Sequence, residues 1–167
     1  MFGMRLITPQ SGPRGKPVSR VLVEESLPIA QEVYLGAAID RKQGKVVVLG
    51  SSEGGVEIEE VSARSPEKIQ KLTVDSGCGF TYFQGRKLAI DMGLQGGIIG
   101  KGAAVAFALF RAFLDCDCSL AEINPLGLTA RGELIALDAK MNIDDTPFTV
   151  IRNSRPCAIS SRKIRGT

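Results

Sequence analysis

At 167 residues the chain has the length of one ordinary domain, and 44% hydrophobic against 23% charged residues is enough apolar material for a core, which excludes a disordered or low-complexity protein. A net charge of +3 is too small to imply a nucleic-acid partner. The chain contains no His, so it cannot itself supply an imidazole base, a His metal ligand or a phosphohistidine.

Taken in order, the segment up to Val18 is rich in Gly, Pro and polar residues (Thr8-Pro9-Gln10-Ser11-Gly12-Pro13) and reads as a loop. Arg20 to Glu24 reads as a short apolar strand ending in carboxylates. Ile29 to Asp40 and Lys45 to Ser52 flank Arg41-Lys42-Gln43-Gly44, the pattern of a β-hairpin. Ser51 to Glu59 reads as a structural turn, with Gly54-Gly55 permitting positive φ. Ser65 and Pro66 predict the N-cap and first position of a short helix reaching about Lys71. Leu72 to Val74 follows as a strand. Gln84 to Met92 predicts a helix stopped by Gly93. Gly97 to Cys116 is a long helix, apolar almost all round, and is expected to be buried. Ser119 to Ile123 reads as a strand interrupted by Pro125 and resumed at Leu126 to Thr129. A turn at Arg131-Gly132 then leads into a strand from Glu133 to Lys140. This order predicts a mixed α+β domain rather than a βαβ repeat. No run is long and apolar enough to span a membrane, and no signal-peptide pattern opens the chain, so a cytoplasmic protein without a membrane partner is expected.

The four cysteines, Cys78, Cys116, Cys118 and Cys157, lack the paired C-x-x-C spacing of a zinc site and are expected to be reduced thiols. Charge is unevenly placed. Thr146 to Thr167 holds five basic residues and no acidic one, which leaves the first 145 residues at −2. That tail has neither the aromatic spacing nor the amphipathic stripe of a nucleic-acid or membrane ligand.

Two stretches carry possible chemistry. Glu122 and Asn124 are two apart on a strand and so share a face. If the Arg131-Gly132 turn pairs the flanking strands, Asp138 comes beside Asn124. Oxygen donors in that arrangement suit a hard cation such as Mg²⁺, which takes one or two protein carboxylates and completes its shell with water and substrate phosphates. The pattern equally suits an ordinary solvated face. The second stretch is Val23-Glu24-Glu25-Ser26-Leu27 followed by Glu32. A broken strand end there would expose backbone groups able to read an adenine edge, with a carboxylate eight residues on for ribose hydroxyls. An ordinary strand end with surface glutamates is the competing reading.

Taken together these stretches resemble the ATP-grasp domain of succinyl-CoA synthetase (succinate–CoA ligase, ADP-forming) beta subunits. The matching strings are L-V-E-E at Leu22 to Glu25, E-V-Y-L-G at Glu32 to Gly36 and S-S-E-G-G-V-E-I-E at Ser51 to Glu59. They continue with Y-x-Q-G-R at Tyr82 to Arg86, A-E-I-N-P-L at Ala121 to Leu126 and L-D-A-K at Leu137 to Lys140. Malate–CoA ligase beta subunits are similar in the same strings. The resemblance implies a partial ATP-grasp domain over residues 1–145, with a mixed or antiparallel sheet and packed helices. It implies an adenine-contacting Glu24, a backbone contact at Leu27 and a ribose-binding Glu32. Asn124 and Asp138 correspond to magnesium ligands, and Glu122 to a catalytic acidic residue at the phosphoryl-transfer site. In the family, ATP phosphorylates a histidine of the alpha subunit, and the group passes to succinate before CoA displaces it, a step of the tricarboxylic acid cycle. The absence of His here fits, because that histidine belongs to the partner.

Family beta subunits are much longer. An earlier part of their ATP-grasp domain, with a phosphate-contacting Lys and a G-R-G loop, and the CoA-ligase-type domain that follows have no counterpart in this sequence. The chain alone is therefore expected to be inactive, and a truncated product that only docks onto an alpha subunit is the alternative. Residues 146–167 are expected to be a frameshifted, poorly ordered tail. Family members continue with Asn-Ala-Leu-Tyr-Arg-His-Pro, and loss of one base after Asp145 converts a sequence encoding that string into Thr146-Pro147-Phe148-Thr149-Val150-Ile151-Arg152. Genomic sequencing through this region is expected to show family sequence in the shifted frame; an unrelated reading there removes the frameshift.

Overall fold

The computed structural model describes residues 3–7, 11–21, 23, 25–75 and 77–143. The expectations for Glu24 and for the tail from Thr146 onward fall outside the described residues. A small antiparallel pair, β1 (Arg5–Leu6) with β2 (Lys16–Pro17), precedes the main body. Arg20, Val21 and Val23 carry no strand, against the sequence expectation. Val23 is 87% exposed there, so its apolar side chain gains nothing from extended pairing.

The main body is a six-stranded antiparallel sheet with two long helices packed on one face. The predicted hairpin forms as β3 (Ile29–Asp40) and β4 (Lys45–Ser51), in register from Tyr34↔Ser51 to Asp40↔Lys45. The Asp40 carboxylate accepts from the Lys42 and Gln43 backbone amides at its tip, the usual chemistry of an Asp-initiated turn. Next comes α1 (Ile58–Arg64), a seven-residue helix that the sequence pattern does not announce. Its N-cap, Glu57, makes no side-chain cap bond, and the helix is anchored through the fully buried Val61. A 3₁₀ turn at Pro66–Lys68 has Pro in its first turn as predicted, but the Ser65 side chain does not cap it, and β5 (Ile69–Thr73) begins at once on the open edge of β4.

Helix α2 (Tyr82–Asp91) starts two residues before the expected Gln84. Thr81 and Gln84 form a reciprocal capping box, which satisfies two end amides. Gly93, at φ 85°, takes the left-handed position just beyond its end. Helix α3 (Ile98–Asp115) corrects the expectation of burial all round. Gly102, Ala103, Ala106, Leu109, Phe110 and Phe113 are buried, whereas Phe107 and Leu114 are exposed on the other side. One stripe alone meets the sheet and α2.

β6 (Cys118–Thr129) runs antiparallel to β3 and is the central strand. On its other side the single strand expected over Glu133 to Lys140 is two. β7 (Leu134–Ala136) pairs with Leu126 to Leu128, and β8 (Ala139–Ile143) pairs with Cys118 to Ile123. Side chains alternate across this sheet. Val33, Leu35, Ala37, Val48, Ala121 and Ile123 face the helices and form the core with Leu88, Met92, Leu94, Phe110 and Phe113. Tyr34, Gly36, Glu122 and Asn124 therefore lie on the opposite face. Among the described residues no helix is long and apolar enough to cross a membrane.

Leu88 is fully buried in this core and Phe83 is 77% exposed on the outer side of the same helix. Leu88→Ala is expected to cost about 2–5 kcal/mol in urea unfolding, and Phe83→Ala to stay within about 0.5 kcal/mol. Equal costs at the two positions would contradict the assignment of faces.

Candidate functional site on the face opposite the helices

The site is organised by a bulge at Asn124-Pro125. Val33 pairs with Leu126 and Leu35 with Ile123, so Tyr34 alone stands opposite both Asn124 and Pro125. Pro125 has no N–H to give the ladder, and a central strand tolerates it only at such an irregularity. The sequence expectation that Pro125 interrupts the strand becomes a bulge inside a continuous β6. The other neighbour responds at the same level, where β7 ends and β8 has not begun. Leu137 donates to the Pro125 carbonyl (3.1 Å), and Asn124 donates its backbone N–H to the Asp138 carbonyl (3.0 Å). Asn124 and Asp138 are thus direct neighbours across the strands, as the turn at Arg131-Gly132 predicted.

The Asn124 carboxamide clamps the glycine loop before α1. Its Oδ1 accepts from Gly55 N (2.8 Å) and its Nδ2 donates to the Val56 carbonyl (2.9 Å). Gly54 N donates to the Glu32 carbonyl (3.2 Å), which ties the same loop to β3. Gly55 sits at φ 74°, and a Cβ there would lie 2.5 Å from Glu32 Oε2. Ser51 to Glu59 is therefore a structural turn only up to Glu57, and it passes over the site with Glu32 and Asn124 beneath it.

Glu122 is two residues along on the same face. Its Oε2 accepts from the Tyr34 hydroxyl (3.0 Å), and Oε1 lies 3.9 Å from Lys140 Nζ, its cross-strand partner. Tyr34 is buried, and a buried phenol needs a partner for its hydroxyl. Burial, then the charge of Glu122, then the hydrogen bond to it, and finally the charge of Glu59, all hold the Tyr34 phenol protonated well above its ordinary range. Tyr34 is thus a donor and not an acid or nucleophile at neutral pH. Tyr34 lies in the E-V-Y-L-G string, and the string alone implies no role for it. The available signal was a Tyr two residues before a Gly, on the face shared with Glu122.

Asp138 is exposed, and its Oδ1 accepts from Ala139 N (3.0 Å). Glu32, Glu122 and Asn124 share one face around the Gly55 loop and the bulge, and Asp138 meets Asn124 there through its backbone carbonyl. Leu27 is described but lies in the exposed stretch before β3, and Glu24 is outside the described residues. Among the described residues no three His, Cys, Asp or Glu side chains converge as a closed metal cage. The donor set is one amide oxygen and one carboxylate on adjacent segments. Each accepts a hydrogen bond from the backbone and has acceptor capacity for a further partner. Such a set fits a hard cation that draws its other ligands from water and phosphates, and does not fit zinc.

A protein-family model described as an ATP-grasp domain matches residues 1–128. The chain belongs to the ATP-grasp family. Its curated relatives include the succinate–CoA ligase [ADP-forming] subunit beta of Alkalilimnicola ehrlichii, 47% identical over 152 residues, covering 91% of this chain and 39% of that protein. The protein named "Probable malate--CoA ligase subunit beta" of Mesorhizobium japonicum is 46% identical over 145 residues, covering 87% of this chain and 37% of that protein. The chain thus spans well under half the length of these relatives, all named as subunits of CoA ligases, an enzyme class. Among solved structures, ATP citrate lyase from Methanothrix soehngenii, in complex with citrate and coenzyme A, matches with a TM-score of 0.54 and 22% identity over 86% of this chain and 31% of that one. That likeness agrees with the ATP-grasp fold assigned here, an antiparallel sheet with packed helices.

The raised phenol has a consequence in alkali. A folded-state pKa above the unfolded value gives stability that is complete below the unfolded value, about 10, and is lost as pH rises above it. Above about pH 10 the wild-type chain is expected to lose up to about 1.4 kcal/mol more per pH unit than Tyr34→Phe. Urea unfolding of both between pH 8 and 11 measures the difference, and parallel profiles would contradict a protonated, bonded Tyr34.

Proposed function

We propose that this chain is the nucleotide- and metal-binding part of a CoA ligase beta subunit. In this reading it binds ATP with Mg²⁺ and presents the terminal phosphate to a histidine of an alpha-subunit partner. The phosphoryl group then passes to succinate, and CoA displaces it to give succinyl-CoA, a step of the tricarboxylic acid cycle. The observation that carries the reading is the meeting of Asn124 and Asp138 backbones across the bulge, two residues along β6 from Glu122. The lack of any His accords with a histidine supplied by a partner.

Asn124 and Asp138 would hold the ion, which when bound offsets phosphate charge during transfer. The chain's own residues do the rest. Glu32 hydrogen-bonds the ribose, with Glu24 and the Leu27 backbone at the adenine. Glu122 is the acidic group at the transfer position, its charge moderated by Lys140. The clamped Gly54-Gly55-Val56 loop keeps a small, side-chain-free stretch of backbone over the site. Malate in place of succinate is the second reading, favoured by the similarity to the Mesorhizobium japonicum protein; the site proposed here would meet phosphates and nucleotide, and the acid would be read elsewhere.

Calorimetry with ATP is expected to show binding that requires Mg²⁺, and Asn124→Ala or Asp138→Ala to weaken it by about tenfold or more. If the wild-type chain gives no magnesium-dependent signal, the nucleotide reading fails and docking to an alpha subunit is what remains.

A further inference from the structure

The buried polar group that the proposed mechanism leaves unused is the Tyr34 hydroxyl. It reaches Glu122 Oε2 at 3.0 Å because the neighbouring position on its face is Gly36. A Cβ at Gly36 would lie 2.4 Å from the phenol oxygen and 2.9 Å from the ring carbon bearing it. Gly36 pairs with Glu122 on β6, and Glu122 pairs with Lys140 on β8. The phenol therefore crosses over its own strand, through the space a side chain would fill, to meet the carboxylate on the next strand. Tyr34 is 1% exposed, so the ring is fixed by its surroundings and the hydroxyl has one direction in which to point.

We propose that Tyr34 is the positioning residue for Glu122, holding Oε2 through the Gly36 slot so that the other carboxylate oxygen is presented on the Lys140 side. The inference rests on the reading of Glu122 as a group of the phosphoryl-transfer site. Without Tyr34 the Glu122 side chain, on a partly open face with Lys140 no closer than 3.9 Å, has a free choice of rotamer. With it, one oxygen is committed and the second has a defined place. Lys140 alone cannot do this, because a flexible ammonium follows the carboxylate rather than fixing it. Tyr34 has no part in bond making. It is a neutral donor that sets geometry.

The test is side-chain relaxation of Glu122 in the full chain by NMR, in the wild type, in Tyr34→Phe and in Gly36→Ala. The Glu122 side-chain order parameter is expected to be clearly higher in the wild type than in Tyr34→Phe. Phe fills the same space, so a role in packing alone predicts no change. Gly36→Ala is expected to reproduce the loosening, with Tyr34 still present but displaced. Should Gly36→Ala fail to fold, Tyr34→Phe decides. A Glu122 as ordered in Tyr34→Phe as in the wild type would overturn the proposal. Magnesium-dependent ATP binding, measured on the same samples, judges the functional reading separately. Its absence from the wild type would overturn that reading, while the order parameters would still decide what Tyr34 does.

Discussion

A proline in the middle of a central strand governs this molecule. β6 is hydrogen-bonded on both sides, and Pro125 brings it a residue with no donor. The ladder to β3 accommodates it by setting Asn124 and Pro125 against the single residue Tyr34. The ladder on the other side accommodates it by parting β7 from β8 at Leu137-Asp138. Both adjustments fall at one level of the sheet, and both bring polar groups there. The same gap that accepts Pro125 supplies the Asp138 carbonyl for Asn124 N and the Leu137 N–H for the Pro125 carbonyl. The backbone stays satisfied while its side chains are re-aimed, the usual service of a bulge beside a functional site.

The sheet divides labour between its faces. The helical face is a conventional core of Val, Leu, Ile, Ala, Met and Phe with Cys118 among them. The other face carries Tyr34, Glu122 and Asn124 beneath the loop that leads into α1. Polar groups can be sheltered there because each is partnered. Among the described residues no buried side-chain nitrogen or oxygen lacks a hydrogen bond, and an unpaired one would cost about 1–3 kcal/mol. The carboxylate of Glu122 is the demanding case, and it has a phenol on one oxygen and an ammonium near the other.

What could be read in the sequence followed from short-range rules. Alternation placed Glu122 and Asn124 on one face, the Arg131-Gly132 turn brought Asp138 alongside, and Gly93 marked the end of α2. The features that escaped depend on distant partners. Helix α1 has no capping residue and is seven residues long, below what propensity sustains alone; it exists because Val61 is buried. The exposed outer side of α3 is marked only by Lys101, Arg111 and Asp115, and the unbroken apolar letters between Lys101 and Arg111 hide the stripe that meets the sheet. Splitting of the last strand required knowing that Pro125 would sit opposite it. Tyr34 carries no role legible in the sequence, because its hydroxyl partner lies 88 positions away. The strand expected from Arg20 to Glu24 rests on three apolar letters, Val21, Leu22 and Val23.

Burial across the site falls in one direction, and this orders the chemistry. Tyr34 is enclosed at the inner end, and Glu122 beside it keeps 16% of its side chain exposed. Asn124 is intermediate, and Gly55 and Asp138 at the outer end are exposed. In the proposed reading an ion and its phosphates would approach from the Asp138 and Gly55 end, where the face is open. The approaching anion would meet hard-cation donors first and the sheltered carboxylate last. A carboxylate left loose would repel phosphate wherever it swung; one held between Tyr34 and Lys140 confines its negative charge to one place, with a positive charge set against it. The geometry thus separates the open edge at Asn124 from the carboxylate behind it by two residues of one strand, a spacing that the strand's own alternation fixes.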